Sequence, residues 1–185
     1  MPDLEIELGG GGAVLRSLQP SDAEALVALI TANRARLSRW FGWADEEGAD
    51  DVATQATWIE ERRAQDDSLE PNGIWVEGTL AGEANLWIDP EHDTGEFGTW
   101  IGEEFIGRGL ATRAGQALFA VGFQDLGLHR IQCRIGVENM RARALAKRLK
   151  MREEGVLRGA AKVGGGLFVD IVMYGLLVDE WRTSR

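Results

Sequence analysis

The sequence predicts an α+β fold in three layers, in which a mixed central sheet is flanked by helices. Three patterns along the chain support this fold class. Helical spacing of apolar residues comes first, a meander of alternating strand patterns follows, and strand and helix patterns then alternate to the end. The length of 185 residues and the hydrophobic fraction of 44% suit one domain over residues 1–185.

The N-terminal part predicts a β-hairpin and then helices. The glycines at 9–12 separate two alternating segments, which we expect to pair as strands. Ser21 and Glu24 have the spacing of a capping box and predict the start of the first helix. A second, short helix is expected to carry Leu37, Trp40 and Phe41, and an acidic loop follows it.

The middle and C-terminal parts predict most of the sheet. A third helix, from Val52 to about Asp66, precedes them. Two more helices are expected, one after the glycine-bearing loop 107–111 and one after Asn139, whose side chain suits a helix N-cap. The predicted strands of these parts are residues 74–76, 80–88, 96–101, 128–137, 156–158 and 168–177.

Composition excludes several classes of protein. Cys133 is the only cysteine, so neither an intramolecular disulfide nor a metal site is predicted, and a buried core thiol is the simpler interpretation. The acidic N-terminus lacks the apolar segment of a leader peptide. No run of about 18 apolar residues exists that would span a membrane, and we therefore expect a cytoplasmic protein.

The net charge of −10 is unevenly distributed. Residues 1–104 carry 23 acidic and 6 basic side chains, whereas residues 105–185 carry 7 and 14. The acidic half would repel a nucleic acid, so no nucleic-acid partner is expected. A phosphorylated cofactor on the basic half and a cationic acceptor on the acidic half would suit this division, and two ordinary solvated faces are the alternative.

Residues 96–112 carry the most informative pattern. A strand ends, Gly107 and Gly109 follow, and a helix begins. Backbone N–H groups at a helix N-terminus bind anions, glycines let the backbone approach a phosphate, and Arg108 adds positive charge. The pattern predicts a pyrophosphate cradle, with a plain glycine turn as the alternative. The residues after Gly109 are not those of a P-loop, and the position past the middle of the chain disfavours a Rossmann fingerprint.

The run Gly107-Arg108-Gly109-Leu110-Ala111 resembles the acetyl-CoA pyrophosphate loop of the GNAT superfamily of N-acetyltransferases. The preceding Gly98-x-Trp100-Ile101-Gly102 is similar to the strand that pairs with the pantetheine arm, and residues 138–151 are similar to the asparagine helix of the family. The spacing near the N-terminus resembles that of the RimJ/RimL-type ribosomal-protein N-acetyltransferases at Asn33, Leu37, Trp40 and Trp43. The resemblance covers nearly the whole chain.

The resemblance implies acetyl-CoA as cofactor and an amine as acceptor. The amine would belong to a protein N-terminus, to a cationic peptide or to a small molecule. The expected cofactor-binding residues are Trp100, Ile101, Gly102, Gly107, Arg108, Gly109, Leu110, Ala111, Thr112, Asn139 and Arg143. The candidates for the acceptor cleft are Asn33, Trp40, Trp43 and Asn85. For Trp40 and Trp43 the alternative is a place in the core, which is also the default expectation for Trp58, Trp75, Trp87 and Trp100. Dimerisation is common in such folds, so a homodimer is one expected state.

The chain departs from the family pattern at three places. Ile106 occupies the slot of a glutamine or arginine in the loop, and the main-chain cradle is expected to bind without it. Ala142 stands where some relatives have a serine that hydrogen-bonds the departing thiolate. Some relatives carry a catalytic glutamate where residues 158–166 contain no acid.

Acyl transfer to an amine needs a base, a polarised carbonyl and a proton for the thiolate. Backbone N–H groups near the end of the 96–101 strand are candidates to polarise the carbonyl. Glu96 is the first candidate base because its strand leads to the cofactor site, and Asp170 is the second. Tyr174, the only tyrosine, is the candidate to protonate the thiolate. Each also has a structural alternative, and a water chain would serve in place of any of them.

Three functions compete at this point. The first is an active N-acetyltransferase that transfers acetyl directly to a primary amine in a ternary complex. The second is an acyl-CoA-binding sensor or scaffold, which Ala142 and the missing glutamate favour. The third is a transferase of another acyl group, such as succinyl. One fold serves many acceptors in this superfamily, so the sequence leaves the acceptor open.

Overall fold

The computed structural model describes residues 3–65 and 68–183. A nine-stranded sheet crosses the centre of this part of the chain, in the order β1-β2-β4-β5-β6-β7-β9-β8, with β3 also paired to β5. All paired strands are antiparallel except β6 and β7. The strands are β1 (Glu5–Glu7), β2 (Ala13–Ser17), β3 (Ser68–Leu69), β4 (Asn72–Val76), β5 (Thr79–Asp89), β6 (Thr94–Ile101), β7 (Arg130–Gly136), β8 (Arg152–Lys162) and β9 (Phe168–Leu177).

Helices cover both faces of this sheet. They are α1 (Ala23–Leu37), α2 (Val52–Arg63), α3 (Leu110–Ala120), α4 (Met140–Arg148) and α5 (Val178–Thr183). The apolar faces of α1 and α2 form one hydrophobic cluster against the sheet, and those of α3 and α4 form a second, larger one. The predicted α+β arrangement of a mixed sheet between helical layers is therefore confirmed.

The start of α1 differs from the prediction. A 3-10 turn, Pro20–Asp22, precedes the helix, and the Asp22 carboxylate accepts a hydrogen bond from the Gln19 N–H at 2.8 Å. Partial burial acts to raise the pKa of Asp22, but the pairing of this carboxylate with Arg16 at 2.7 Å and the hydrogen bond from Gln19 together lower it. The capping box expected from Ser21 and Glu24 does not form. Asp22 occupies the N-cap position of α1, and its carboxylate closes the preceding 3-10 turn instead of bonding to the first N–H groups of the helix.

The prediction of a separate second helix with Leu37, Trp40 and Phe41 is wrong. Residue Leu37 is the last residue of α1, whose buried face continues through Ile30 and Asn33 without a break. Trp40 lies in the following turn, and only a 3-10 segment, Gly42–Asp45, comes before α2. Continuous helical spacing carried α1 one turn further than the prediction allowed.

The observed bounds of α2 and β8 also differ from the predicted ones. The helix α2 ends at Arg63, and Asp66, where the prediction ended it, lies outside the described residues. The strand β8 covers Arg152–Lys162, far beyond the predicted 156–158. It is an edge strand with most side chains exposed, so it lacks the alternation of apolar residues by which strands are recognised. None of the described helices is long and apolar enough to cross a membrane.

Candidate active site

A fissure opens in the middle of the sheet. The strands β6 and β7 pair in parallel only where Thr94–Glu96 faces Arg130–Gln132. Beyond these residues β6 continues to Ile101 beside β5, and β7 continues to Gly136 beside β9. Within the described chain the two strands share no further register, so the backbone edges of residues 97–101 and 133–136 face a gap.

The open end of the fissure leads to the glycine loop. A 3-10 turn, Glu103–Phe105, follows β6, and α3 begins at Leu110. Gly107 has φ +86° and Gly109, the N-cap of α3, has φ +73°. A Cβ on either glycine would meet no atom within 4 Å, so there is space for a larger side chain. Glycine is required at both positions because of the positive φ angle. The first N–H groups of α3 are thereby presented at the mouth of the fissure.

The other predicted loop residues have two kinds of position. Leu110 is buried and anchors the start of α3 in the core, whereas Arg108 is exposed. The Arg108 guanidinium lies 5.0 Å from the Phe105 ring centroid and donates to the Glu104 carbonyl at 3.2 Å. Thr112 accepts a hydrogen bond at 3.4 Å from Arg148 of α4. This hydrogen bond joins α3 and α4 beside the glycine loop. Ala111, between Leu110 and Thr112 in the chain, is half-buried.

The predicted strand-end residues hold the fissure in shape. Trp100 is buried, and its indole N–H donates to Glu83 at 2.7 Å. The Ile101 carbonyl accepts from Arg36 at 2.5 Å, and the Gly102 N–H donates to the Ala81 carbonyl at 2.8 Å. These main-chain groups have partners within the protein, so a ligand along β6 would use the neighbouring N–H and C=O groups.

The asparagine helix of the sequence analysis is α4, and it packs against α3. The Asn139 side chain caps α4, as predicted, and accepts from the Ala142 N–H at 3.1 Å. Arg143, predicted to bind cofactor, donates to the Tyr174 hydroxyl at 3.2 Å, to the Val137 carbonyl at 3.1 Å and to a carboxylate on β8 at 3.3 Å. The structure therefore places Arg143 in a network between α4, β9 and β8.

The catalytic candidates on β9 have partners of different kinds. Tyr174 is fully buried, and its hydroxyl donates to Glu153 at 3.0 Å. This hydrogen bond is the largest cause that lowers the pKa of Glu153, and the same hydroxyl is the largest cause that raises the pKa of Arg143. Asp170 is exposed and accepts from the Gly159 N–H at 2.7 Å, which fixes an irregular part of β8.

Glu96 lies at the closed end of the fissure. It faces Trp87 on β5 and Gln132 on β7, and the Gln132 amide comes within 3.5 Å of its carboxylate. Side chains alternate between the two faces of a strand, so Glu96 shares a face with Trp100, which packs in the cluster of α1 and α2. The half-buried Glu96 carboxylate therefore opens toward the side opposite to α3 and α4.

The acceptor-side tryptophans lie over the ends of the two diverging strands. Trp40 packs against Gly136 at the end of β7, with 3.5 Å between its Cε3 and the position of a Cβ on that glycine. Trp43 lies 6.3 Å from Trp100 and 5.7 Å from Phe41 between ring centroids. The connection between α1 and α2 thus bridges the fissure on the Glu96 side.

The two predicted asparagines are buried and act as connectors. Asn33 donates to the Leu29 carbonyl at 2.9 Å, and its oxygen accepts from both Arg36 and the Glu103 N–H at 2.9 Å. It therefore ties α1 to the end of β6. Asn85 accepts from the Asn72 N–H at 2.8 Å and ties β5 to β4.

Sequence reasoning missed two charged groups at this site. Arg36 is half-buried beside the end of β6, and burial is the largest cause that lowers its pKa. Glu83 is buried beneath Trp100, and burial raises its pKa to about 7 although the Trp100 hydrogen bond opposes the shift. Its second oxygen has no hydrogen-bond partner within the described residues. The sequence did contain a signal for Glu83, because it is an acidic residue among the small and apolar residues of β5.

The fold and the fissure define the protein as an acyltransferase. Residues 13–152 match the family model described as Acetyltransferase (GNAT) domain, so the chain belongs to the GNAT family. The putative ribosomal N-acetyltransferase YdaF of Bacillus subtilis (strain 168) is 34% identical over 92% of this chain and 94% of its own length. The resemblance to the ribosomal-protein N-acetyltransferase branch is thereby confirmed.

Two solved structures show the same arrangement. One, described as a probable acetyltransferase, is 32% identical, covers 96% of this chain and 99% of its own, and superposes with a TM-score of 0.86. The other is RimL, a ribosomal L7/L12 alpha-N-protein acetyltransferase in complex with coenzyme A. It superposes with a TM-score of 0.85 at 22% identity, over 96% of this chain and 99% of its own, and this likeness concerns the fold.

Proposed function

We propose that the protein transfers an acetyl group from acetyl-CoA to a primary amine, directly and within a ternary complex. The observation that carries this proposal is the fissure between β6 and β7, which joins the glycine loop at one end to Glu96 at the other. The acceptor is a protein N-terminal α-amine or the amine of a small molecule. The relative named as a ribosomal N-acetyltransferase supports the first of these.

The residues at the open end fit a pyrophosphate. Gly107 and Gly109 leave open space around the loop, and the N-terminus of the 11-residue helix α3 offers N–H groups to an anion. Arg108 is exposed beside them and adds a positive charge, and Asn139 keeps its amide NH₂ group available beyond the cap bond. Acetyl-CoA supplies the acetyl group as a thioester, which makes it reactive toward an amine.

In this proposal Glu96 takes the proton of the acceptor. An amine arrives as an ammonium ion and must lose a proton before its nitrogen forms a bond to the acetyl carbon. Glu96 lies where β6 and β7 separate, is half-buried, and opens toward the face that α1 and α2 occupy. Its carboxylate would receive the proton directly or through one water molecule.

The leaving thiolate needs a proton from another source. Ala142 has no hydroxyl for this purpose, and its N–H is held by Asn139. Tyr174 carries a hydroxyl between Arg143 and Glu153, on the face of α4, and we propose it as the donor or as the link to water. Asp170 remains the second candidate base, although its carboxylate is held by Gly159.

Calorimetric titration with acetyl-CoA tests the donor site. We expect micromolar binding that Arg108→Glu weakens at least about tenfold, as for the loss of one charge-assisted contact. Arg158→Glu is the matched control, since Arg158 is an exposed arginine on the edge strand β8, and it should leave the affinity unchanged. If neither acetyl-CoA nor CoA binds, the proposed function is overturned.

Release of free thiol in the presence of amines tests the transfer. We expect Glu96→Gln to lower kcat by about 10²- to 10⁴-fold, the usual contribution of a general base. Glu91→Gln, in the exposed turn between β5 and β6, is the control. Tight acetyl-CoA binding without thiol release for any amine would favour the second candidate, a sensor or scaffold, which the missing hydroxyl at Ala142 suits.

A further inference from the structure

A tryptophan that the sequence assigned to the core lies open at the closed end of the fissure. Trp87 is 38% exposed on β5 and stands directly opposite Glu96 of β6. Its six-membered ring covers Gly98, since a Cβ there would lie 2.6 Å from Cζ3 and 2.8 Å from Cη2. A group that approaches the fissure from the Glu96 side therefore passes this ring.

A buried carboxylate fixes the ring in this position. The Trp87 indole N–H donates to Glu70, whose side chain is 2% exposed and pairs with Arg62 at 3.0 Å. With its nitrogen held on one side and its benzene ring resting on Gly98, the indole has little freedom to turn. Glu70 is thus a positioning residue for Trp87.

The charges around this ring favour a cation. Glu96 stands beside it, while Arg130, the first basic residue of β7, is bound to both oxygens of Glu154. Arg134, the next arginine on this face of β7, donates to the Ala160 carbonyl at 3.0 Å and so reaches toward β8. A carboxylate next to an exposed indole face suits an ammonium group, since both attract positive charge.

We propose that Trp87 and Glu96 form the subsite that receives the ammonium group of the acceptor. The assignment rests on the proposed transfer to an amine and names its recognition element. The subsite attracts the charged acceptor before reaction and brings its proton to Glu96. Once the amide has formed, the product carries no charge at that nitrogen, so the attraction is lost and the product leaves.

Binding of a cation that cannot be acetylated tests this subsite separately from turnover. We would measure choline and its uncharged isostere 3,3-dimethylbutan-1-ol by saturation-transfer NMR, with the wild-type protein and Trp87→Leu. The wild type should prefer choline by about three- to thirtyfold, which corresponds to a cation–aromatic contact. Trp87→Leu should lose most of this preference, and the remainder comes from Glu96. Phe168→Leu, at an exposed aromatic residue on β9, is the control and should keep it.

Two conservative variants separate recognition from folding. Trp87→Phe retains an aromatic face and should retain part of the preference for choline. Glu70→Gln can still accept the indole N–H and should keep more of the preference than Glu70→Leu. A preference that is unchanged in folded Trp87→Leu, or absent from the wild type, would overturn the subsite even if amines are acetylated. A preference lost in Trp87→Leu while no amine is acetylated would support the subsite and contradict the proposed function.

Discussion

The buried carboxyl of Glu83 makes stability depend on pH. Its pKa in the folded protein is about 7, raised from 4.5 by burial. The folded state therefore holds this proton more tightly than the unfolded state does. It follows that the Glu83 contribution to the free energy of unfolding is fully present below about pH 4.5 and falls as the pH rises toward 7.

Glu83→Gln should remove this dependence. Glutamine stays neutral and keeps an oxygen for the Trp100 indole. When the pH is raised from about 4.5 to about 8, the free energy of unfolding of the variant should therefore increase by about 3 kcal/mol relative to that of the wild type. Chemical denaturation at both pH values measures the difference. Glu91→Gln, in an exposed turn, should show no such trend. An equal effect of Glu83→Gln at both values would contradict the assignment.

At the scale of residues, the sequence predicted main-chain features better than side-chain partners. The Asn139 cap followed from a local rule and is confirmed. Asn33 and Arg36 were harder, because their partners at the end of β6 and in the turn after it lie 65 to 70 residues away in the chain. Trp87 was assigned to the core by default, and only the register of β5 with β6 brings it beside Glu96.

At the scale of elements, the start of α3 depends on one glycine. Gly109 has φ +73° at the N-cap, so Gly109→Ala should lower the free energy of unfolding by roughly 1 kcal/mol. It should also weaken acetyl-CoA binding, because the loop conformation presents the N–H groups. Denaturation and calorimetry on the same variant check both effects.

Gly127 offers a matched control for this substitution. It has φ +68° with open space around it, and it lies in the loop before β7. Gly127→Ala should therefore lose similar stability while binding acetyl-CoA normally. If both variants lose affinity to the same extent, the effect comes from general destabilisation and not from the loop.

Element boundaries show where sequence patterns stop being informative. Strands buried on one or both faces, such as β5 and β9, were predicted within a few residues because their apolar residues are dense. The edge strand β8 has nearly all its side chains exposed, so hydrogen bonding to β9 alone defines its length. The glycine loop was predictable because Gly107 and Gly109 are glycines at positions that require positive φ angles.

At the scale of the whole molecule, the uneven charge should affect the two substrates in the same way. In the proposed function, the donor meets the basic second half of the chain, and a cationic acceptor meets the acidic first half. Raising the salt concentration from about 0.05 M to 0.3 M shortens the reach of both attractions. The KM values for acetyl-CoA and for a cationic amine should therefore rise severalfold, whereas kcat should change little.

An amine without a second charge provides the comparison. Its KM should respond to salt less than that of a dicationic acceptor of similar size, measured by the same thiol release. Equal salt responses for the two amines would show that the acidic half of the chain does not steer the acceptor, and that its charges only solvate the surface.

The divergence of β6 from β7 also affects how fast the backbone exchanges its hydrogens with deuterium. Successive N–H groups of a strand point to opposite edges, so along residues 97–101 they alternate between β5 and the fissure. Amides bonded to β5 should retain protons long after those facing the gap have exchanged. Deuterium uptake along this single strand would then follow a two-residue rhythm, which disappears when a ligand fills the gap.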